Sequence, residues 1–242
     1  MCIRDIVQVL RSAAQPVLDH ARQVVSLTRD LVSWADRVRR VSTGSVRVGM
    51  IDLVAVLHFP DLLREFRAEH PDVEWVMSVA PAGVLLRELT AGDLDLLVCV
   101  RPEVTPPGFE ITPLLREDMS VFAPPATDIG PPDTWGPWIL FPVGSHSRRL
   151  AERALRAAGA SVRVVAESHQ PDVIGQMVEL GLGWTVLPRE PGAAADVVEG
   201  PVVAERDLIL ARRSTSVHDP AAQLLADRLV AARPEPGEVS WE

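Results

Sequence analysis

Ser145 and His146 come first, because a hydroxyl beside an imidazole is the raw material of nucleophilic catalysis. Adjacency is not enough. Neighbouring side chains rarely aim at each other, and Gly144-Ser145-His146-Ser147 lacks the second glycine of a nucleophile elbow. His20, His58, His70, His146, His169 and His218 follow no metal-ligand spacing, and no cysteine pair accompanies them. Gly181-Leu182-Gly183 precedes a strand, whereas a dinucleotide-binding turn follows a strand and opens a helix. Asp93 and Asp95 stand two apart at a strand start and point to opposite faces, which rules against an acid–base pair. The chain contains no lysine, so Schiff-base and amine nucleophile chemistry are excluded. These residues favour binding over catalysis. The expectation is a protein that is not an enzyme, with no cofactor and no catalytic or metal residues.

The elements that must position a binding site are clearest between Val46 and Val100. Residues 46–51 alternate toward an apolar run, and residues 62–70 switch to helical spacing that Pro71-Asp72 stops. Residues 73–79 alternate again, residues 85–89 are helical with Gly92 placed to end the helix, and residues 94–100 read as a buried strand. Strand–helix alternation of this kind predicts an α/β fold with a parallel sheet, whose ligands sit at the carboxyl ends of the strands. Further on, 138–141, 162–166 and 184–187 read as strands, with helices over 147–158 (Ser147 as the N-cap) and 171–180. The breaker-rich stretches 123–132 and 190–200 are expected loops, and 234–242 a frayed tail.

Helix N-termini after Ile51, Pro81 and His146 offer unpaired N–H groups near the expected cleft. The polar ligand candidates are Asp52, Arg101, Ser145, His146, Ser168 and His169. Each also has a plainer reading: a surface salt bridge for Arg101, helix capping for Ser168 and His169. Met50, Leu53, Val143 and Trp184 are available to line an apolar pocket, with a place in the core the alternative for Trp184.

"VRVGMIDLVAVLHFPDLLREFRAEHPDVEW", followed by "LLRELTAGDLDLLV", resembles the start of the effector-binding domain of LysR-type transcriptional regulators. "PWILFP", "VVAESHQPDVIGQMVELGLGWTVLP" and "HDPAAQLLADRL" follow in that family's order and spacing, so the resemblance covers roughly residues 16 to 232. Each motif is weak alone and the ordered set is strong. The resemblance implies a two-lobed fold like that of type 2 periplasmic binding proteins, preceded by a long N-terminal helix. The expected division is 1–45 as linker and dimerisation helix, 46–118 with 207–242 as lobe I, and 119–206 as lobe II. In that family the positions matching Ile51–Leu53 and Ala82 usually carry hydroxyl residues that hold an acidic effector. Here they read Ile-Asp-Leu and Ala, so the expected pocket is more apolar than is usual for the family, with Leu53 and Ala82 on its wall.

Residues 17–41 keep a heptad pattern, with Val17, Val24, Leu31 and Val38 at one core position and His20, Leu27, Trp34 and Val41 at the other. Pro16 suits a first helical turn. The expected partner of this helix is its own counterpart in a homodimer or tetramer; the plainer reading is a helix lying on its own domain. The winged helix-turn-helix that opens members of the family has no room here, so DNA is expected to be reached only through a head domain not present in these residues.

A net charge of −9 argues against a nucleic-acid surface on the lobes. Cys2 and Cys99 read as free thiols of a reducing compartment, no stretch has the length of a membrane helix, and the N-terminus is no signal peptide. The expectation is a cytoplasmic protein whose partner is a small-molecule effector bound between the lobes. A solute-binding protein of a transporter is the alternative, with an enzyme behind it.

Overall fold

The computed structural model describes residues 44–51, 54–105, 107–189, 196–214 and 219–232, together with scattered positions between 14 and 32. The described positions between 14 and 32 are helical, and Thr28 Oγ1 donates to the Val24 carbonyl one turn back at 2.9 Å. Of the heptad positions, Val17, Val24, Leu27 and Leu31 are exposed, while Trp34, Val38 and Val41 lie outside the described residues.

The first lobe is built on β1 (Ser45–Met50), which pairs in parallel with β2 (Glu74–Val79) and β3 (Leu96–Val100). Between β1 and α1 (Pro60–Glu69), Val54–His58 form a single π-helical turn, so the chain after Ile51 does not open directly into an α-helix as its pattern suggests. Proline at the start of α1 suits a position whose N–H has no partner in any helix. α2 (Ala82–Ala91) ends at Gly92, whose φ of 82° is the left-handed cap that glycine adopts without strain. β3 is apolar throughout, and its alternation divides the core. Leu96, Val98 and Val100 pack with Phe66 of α1, whereas Leu97 and Cys99 pack with Leu85 and Leu89 of α2. Gly49 lets α2 approach β1: a Cβ there would stand 2.6 Å from Leu94 Cδ1 and 3.0 Å from Leu85 Cδ2. Arg47 on β1 and Asp95, just before β3, tie these two neighbouring strands with a two-pronged ion pair (2.6 and 3.2 Å).

β4 (Phe109–Ala123) then runs out of this lobe into the second. There follow β5 (Trp138–Leu140), α3 (His146–Ala157), β6 (Val164–Glu167), α4 (Pro171–Glu179) and β7 (Thr185–Pro188). β8 (Val198–Arg213) returns, and α5 (Pro220–Ala231) packs on lobe I, with Ala222, Leu225 and Leu229 in its core. The order β2-β1-β3-β8-β4-β7 is one hydrogen-bonded set, but its members belong to two bodies. β3 meets β8 only at residues 208–211, and β7 meets β4 only at residues 119–122. Between these stretches only β4 and β8 continue, with register shifts at Pro113/Leu115 and Met119/Ser120. β5 and β6 form their own pair, joined to β7 through a bridge between Trp138 and Trp184. The second lobe has a separate core in which Met119, Val121, Trp138, Leu155 and Trp184 meet, with Ile139, Ile174 and Val178 on the other face. The architecture is two α/β lobes joined by two crossing strands.

Three local expectations need correction. α3 begins at His146 with Ser145 as its cap, two residues earlier than Ser147, because Ser145 Oγ accepts the Arg148 N–H at 3.1 Å. β8 starts at Val198, inside the stretch expected to be a loop, because pairing with β4 holds it extended. Met50 is fully buried in the lobe I core and is unavailable to a pocket.

Candidate functional site

A cavity of about 670 Å³ opens between the lobes, a volume suited to a small molecule. Lobe I contributes Ile51, residues 80–84 at the start of α2, and residues after β3 including Pro102, Glu103 and Val104. Lobe II contributes residues 141–147 around the start of α3, with Arg149, His169 and Pro171. Arg206 reaches the cavity from β8, one of the crossing strands.

Five residues picked out by sequence stand on this wall: Ala82, Val143, Ser145, His146 and His169. Val143 is 81% exposed and free to contact a ligand, while the Ser145 hydroxyl is already engaged as the α3 cap. Nothing joins Ser145 to His146 by a hydrogen bond among the described residues, which leaves no nucleophile–base pair. His146 Nδ1 is buried without a partner among the described residues. Burial lowers the proton affinity of this imidazole, and the charges of Arg149, Arg153 and Arg206 lower it further against an opposing pull from Glu103. It is therefore held neutral more firmly than an ordinary histidine.

Three others stand elsewhere. Arg101 lies off the cavity wall and faces Asp207 at 3.7 Å, half exposed, since its own backbone N–H is tied to the Asp207 carbonyl at 2.8 Å. Ser168 turns its hydroxyl to the Gln170 N–H at 3.1 Å, closing the turn that leads into α4. Trp184 belongs to the lobe II core, stacked on Trp135 and edge-on to Trp138, each at 6.2 Å. Asp52 and Leu53 lie outside the described residues.

Sequence reasoning missed an almost wholly buried pair of charges, Glu117 and Arg206. Arg206 donates from Nε to Glu117 Oε2 at 2.5 Å and from Nη1 to Ser147 Oγ at 3.3 Å. Glu117 Oε1 lies 2.6 Å from His58 Nε2. Burial pushes the Glu117 carboxyl up, but the Arg206 charge and the hydrogen bonds from His58 and Arg206 outweigh it, and the group sits below the ordinary carboxylate value. The network touches both lobes: His58 in the turn before α1, Glu117 and Arg206 on the crossing strands, Ser147 in the first turn of α3. The signal in the sequence was a charged pair, Glu117-Asp118 or Arg206-Asp207, set against an apolar strand on one side. Among the described residues, no group of three His, Cys, Asp or Glu could hold a metal ion, and no helix is long and apolar enough to cross a membrane.

The family described as the LysR substrate binding domain matches residues 39–234. Among curated proteins, the HTH-type transcriptional regulator YfeR of Shigella flexneri is 24% identical over 233 residues, which is 90% of this chain and 75% of YfeR. YusT of Bacillus subtilis, another HTH-type transcriptional regulator, is 27% identical over 185 residues, covering 74% of this chain and 60% of YusT. The effector binding domain of QuiR in complex with shikimate superposes with a TM-score of 0.70 at 18% identity, over 78% of this chain and 97% of that one. The family consists of transcriptional regulators rather than enzymes. Two lobes on crossing strands, a ligand-sized cavity between them and a family match over most of the sequence converge: this chain belongs to the LysR substrate-binding domain family and carries the effector-sensing module of LysR-type transcriptional regulators.

Proposed function

We propose that a small molecule binds between the two lobes and changes their relative angle, and that the change is passed through the N-terminal helix to a DNA-binding head. The observation that carries this reading is the composition of the cavity wall, which takes residues from both lobes and Arg206 from a crossing strand. A ligand touching all three has different contacts in every lobe arrangement, and differential affinity is the only lever a ligand has on such an equilibrium. Asp52, Leu53, Ala82, Val143, Ser145, His146 and His169 are the proposed ligand contacts. The domain division is proposed as 46–118 with 207–242 against 119–206, which places its boundaries where β4 and β8 pair Glu117 with Arg206.

The helix is the proposed dimer or tetramer contact. Val17, Val24 and Leu31 recur at heptad spacing and stand 69%, 54% and 63% exposed, a stripe of apolar surface that a helical partner would cover. DNA is contacted through a head domain rather than through the acidic lobes, the protein works in the cytoplasm, and it performs no catalysis.

A thermal-shift screen of the full chain against metabolites tests the cleft. The expected result is a hit that raises Tm in the native protein and loses its effect in Val143→Trp, a change on a highly exposed residue that fills the cavity mouth. Hits that stabilise Val143→Trp equally contradict binding between the lobes. Small-angle scattering with and without the hit should show a change in lobe separation.

A further inference from the structure

We propose that Arg149 and Glu103 form an ionic latch across the mouth of the cleft, so that the closed arrangement of the lobes weakens as ionic strength rises. This rests on the reading that the lobes move, and adds a salt-sensitive contact that holds them together when no ligand is bound.

Arg149 lies in the first turn of α3 in lobe II, and Glu103 in the turn that follows β3 in lobe I. Arg149 Nε stands 3.4 Å from Glu103 Oε1, so the pair joins the lobes away from the crossing strands. Both residues line the cavity, yet each side chain is 46% exposed, which puts the pair at the cavity's rim, open to solvent ions. Each half is held in place by its own surroundings. Arg149 Nη1 donates to the Gly144 carbonyl at 2.8 Å, in the loop before α3, and Nε is left to face Glu103. A guanidinium anchored in this way loses less freedom on pairing than a free one. On the other side, the Arg101 N–H donates to the Asp207 carbonyl at 2.8 Å, and Pro102 fixes the next φ, so the turn carrying Glu103 is rooted on β8. Glu103 also meets the positive end of α3, and its charge reaches His146, the first residue of that helix.

Position matters here more than strength. An exposed ion pair adds little to the stability of a fold, and salt screens it. The state that competes with this contact is not the unfolded chain. It is the same folded chain with its lobes apart, still joined by β4 and β8. A contact made in only one of two such arrangements shifts the balance between them by its whole worth. The Glu117–Arg206 pair on the crossing strands is almost wholly buried, and buried pairs are screened far less. Salt therefore releases the rim and leaves the crossing intact as the pivot.

Distances between two spin labels on the full chain, measured by pulsed electron spin resonance, test this. Thr90→Cys in lobe I and Glu179→Cys in lobe II carry the labels, both at exposed positions, in a Cys2→Ser background with Cys99 buried. Dilution with unlabelled protein restricts the reading to distances within one chain. Between about 10 mM and about 1 M sodium chloride, the ratio of long to short distances should rise about two- to fivefold, the scale of one exposed ion pair. Glu103→Gln should show the high-salt distribution at every salt concentration. Glu103→Arg should shift it further, and Glu103→Arg combined with Arg149→Glu should restore the short distance together with its salt response. Both positions are half exposed, so circular dichroism should report a native fold in each variant. A salt response that is the same in Glu103→Gln as in the native chain overturns the proposal, and so does a double reversal that restores nothing. A distance fixed in every variant and at every salt concentration also overturns the latch. If it stays fixed with a thermal-shift hit bound, the reading of moving lobes falls with it.

Discussion

Glu117 and Arg206 face each other across β4 and β8, the two strands that pass between the lobes among the described residues, carboxylate to guanidinium at 2.5 Å, both almost wholly buried. The pair thereby ties the two lobes together, Glu117 to lobe I through His58 and Arg206 to lobe II through Ser147. A pair in this position is weak evidence for stability in itself, since desolvating two charges offsets much of their attraction. Its consequences appear when one partner is removed or neutralised.

Arg206→Met should destabilise the protein by about 3–5 kcal/mol, because Glu117 is left charged and buried. Combining it with Glu117→Gln should recover most of that loss. Urea unfolding of the single and double variants checks both values, and a single variant as stable as the parent would mean that water reaches Glu117.

The pair also makes stability depend on acid. The Glu117 carboxyl is held below its ordinary value in the folded state, so the unfolded chain binds the proton more readily. Its contribution is complete above the ordinary carboxylate value and is lost as pH falls through that value toward the lower, folded one. Glu152, held low by hydrogen bonds from Arg148 and Arg156 against a smaller effect of burial, behaves in the same direction. Urea midpoints measured from neutral to acid pH should fall, and the fall should be shallower in Glu117→Gln.

Cys99 should be chemically silent in the native protein. It lies in the middle of β3 with no exposed surface, and burial pushes its thiol up to about 12. In a Cys2→Ser background, a thiol reagent at mildly alkaline pH should label the chain only as fast as it unfolds, and at once in denaturant. Rapid labelling in the folded state would show that lobe I opens far more readily than its core implies.

Leu31→Asp with Val24→Asp should convert an associated species to a monomer with little change in monomer stability. Both side chains stand exposed, so the substitutions bury nothing polar within the chain, and changes at such surfaces usually stay within about 0.5 kcal/mol. Sedimentation velocity gives the oligomeric state and thermal unfolding the stability. An unchanged oligomer would place the contact on the lobes.

The elements of lobe I were legible because each obeys a local rule. β3 is apolar on both faces, α2 has its glycine cap, and β1 alternates, so a window of ten residues suffices to see them. The wall residues near α3 were legible for the same reason, since a helix start after a strand is a local pattern and Ser145, His146 and Val143 sit at it. Trp184 and Met50 were placed on the pocket only because apolar side chains look alike whether they line a cavity or a core; their packing partners, Trp135, Trp138 and the lobe I sheet, come from distant segments.

By itself, then, the sequence determined most strands and helices within the lobes and the absence of lysine chemistry, and its resemblance to a family implied two lobes, while the crossing strands β4 and β8 were not read from it. Only the tertiary structure decided where the charge goes. Glu117 and Arg206 are 89 residues apart and meet because β4 and β8 run antiparallel in one register, and His58 and Ser147 join them from separate lobes. Hydrophobic periodicity records which face of an element is buried. It carries no record of which buried charge will find which partner, because that depends on strand register and lobe contact, and these are set by the whole chain at once.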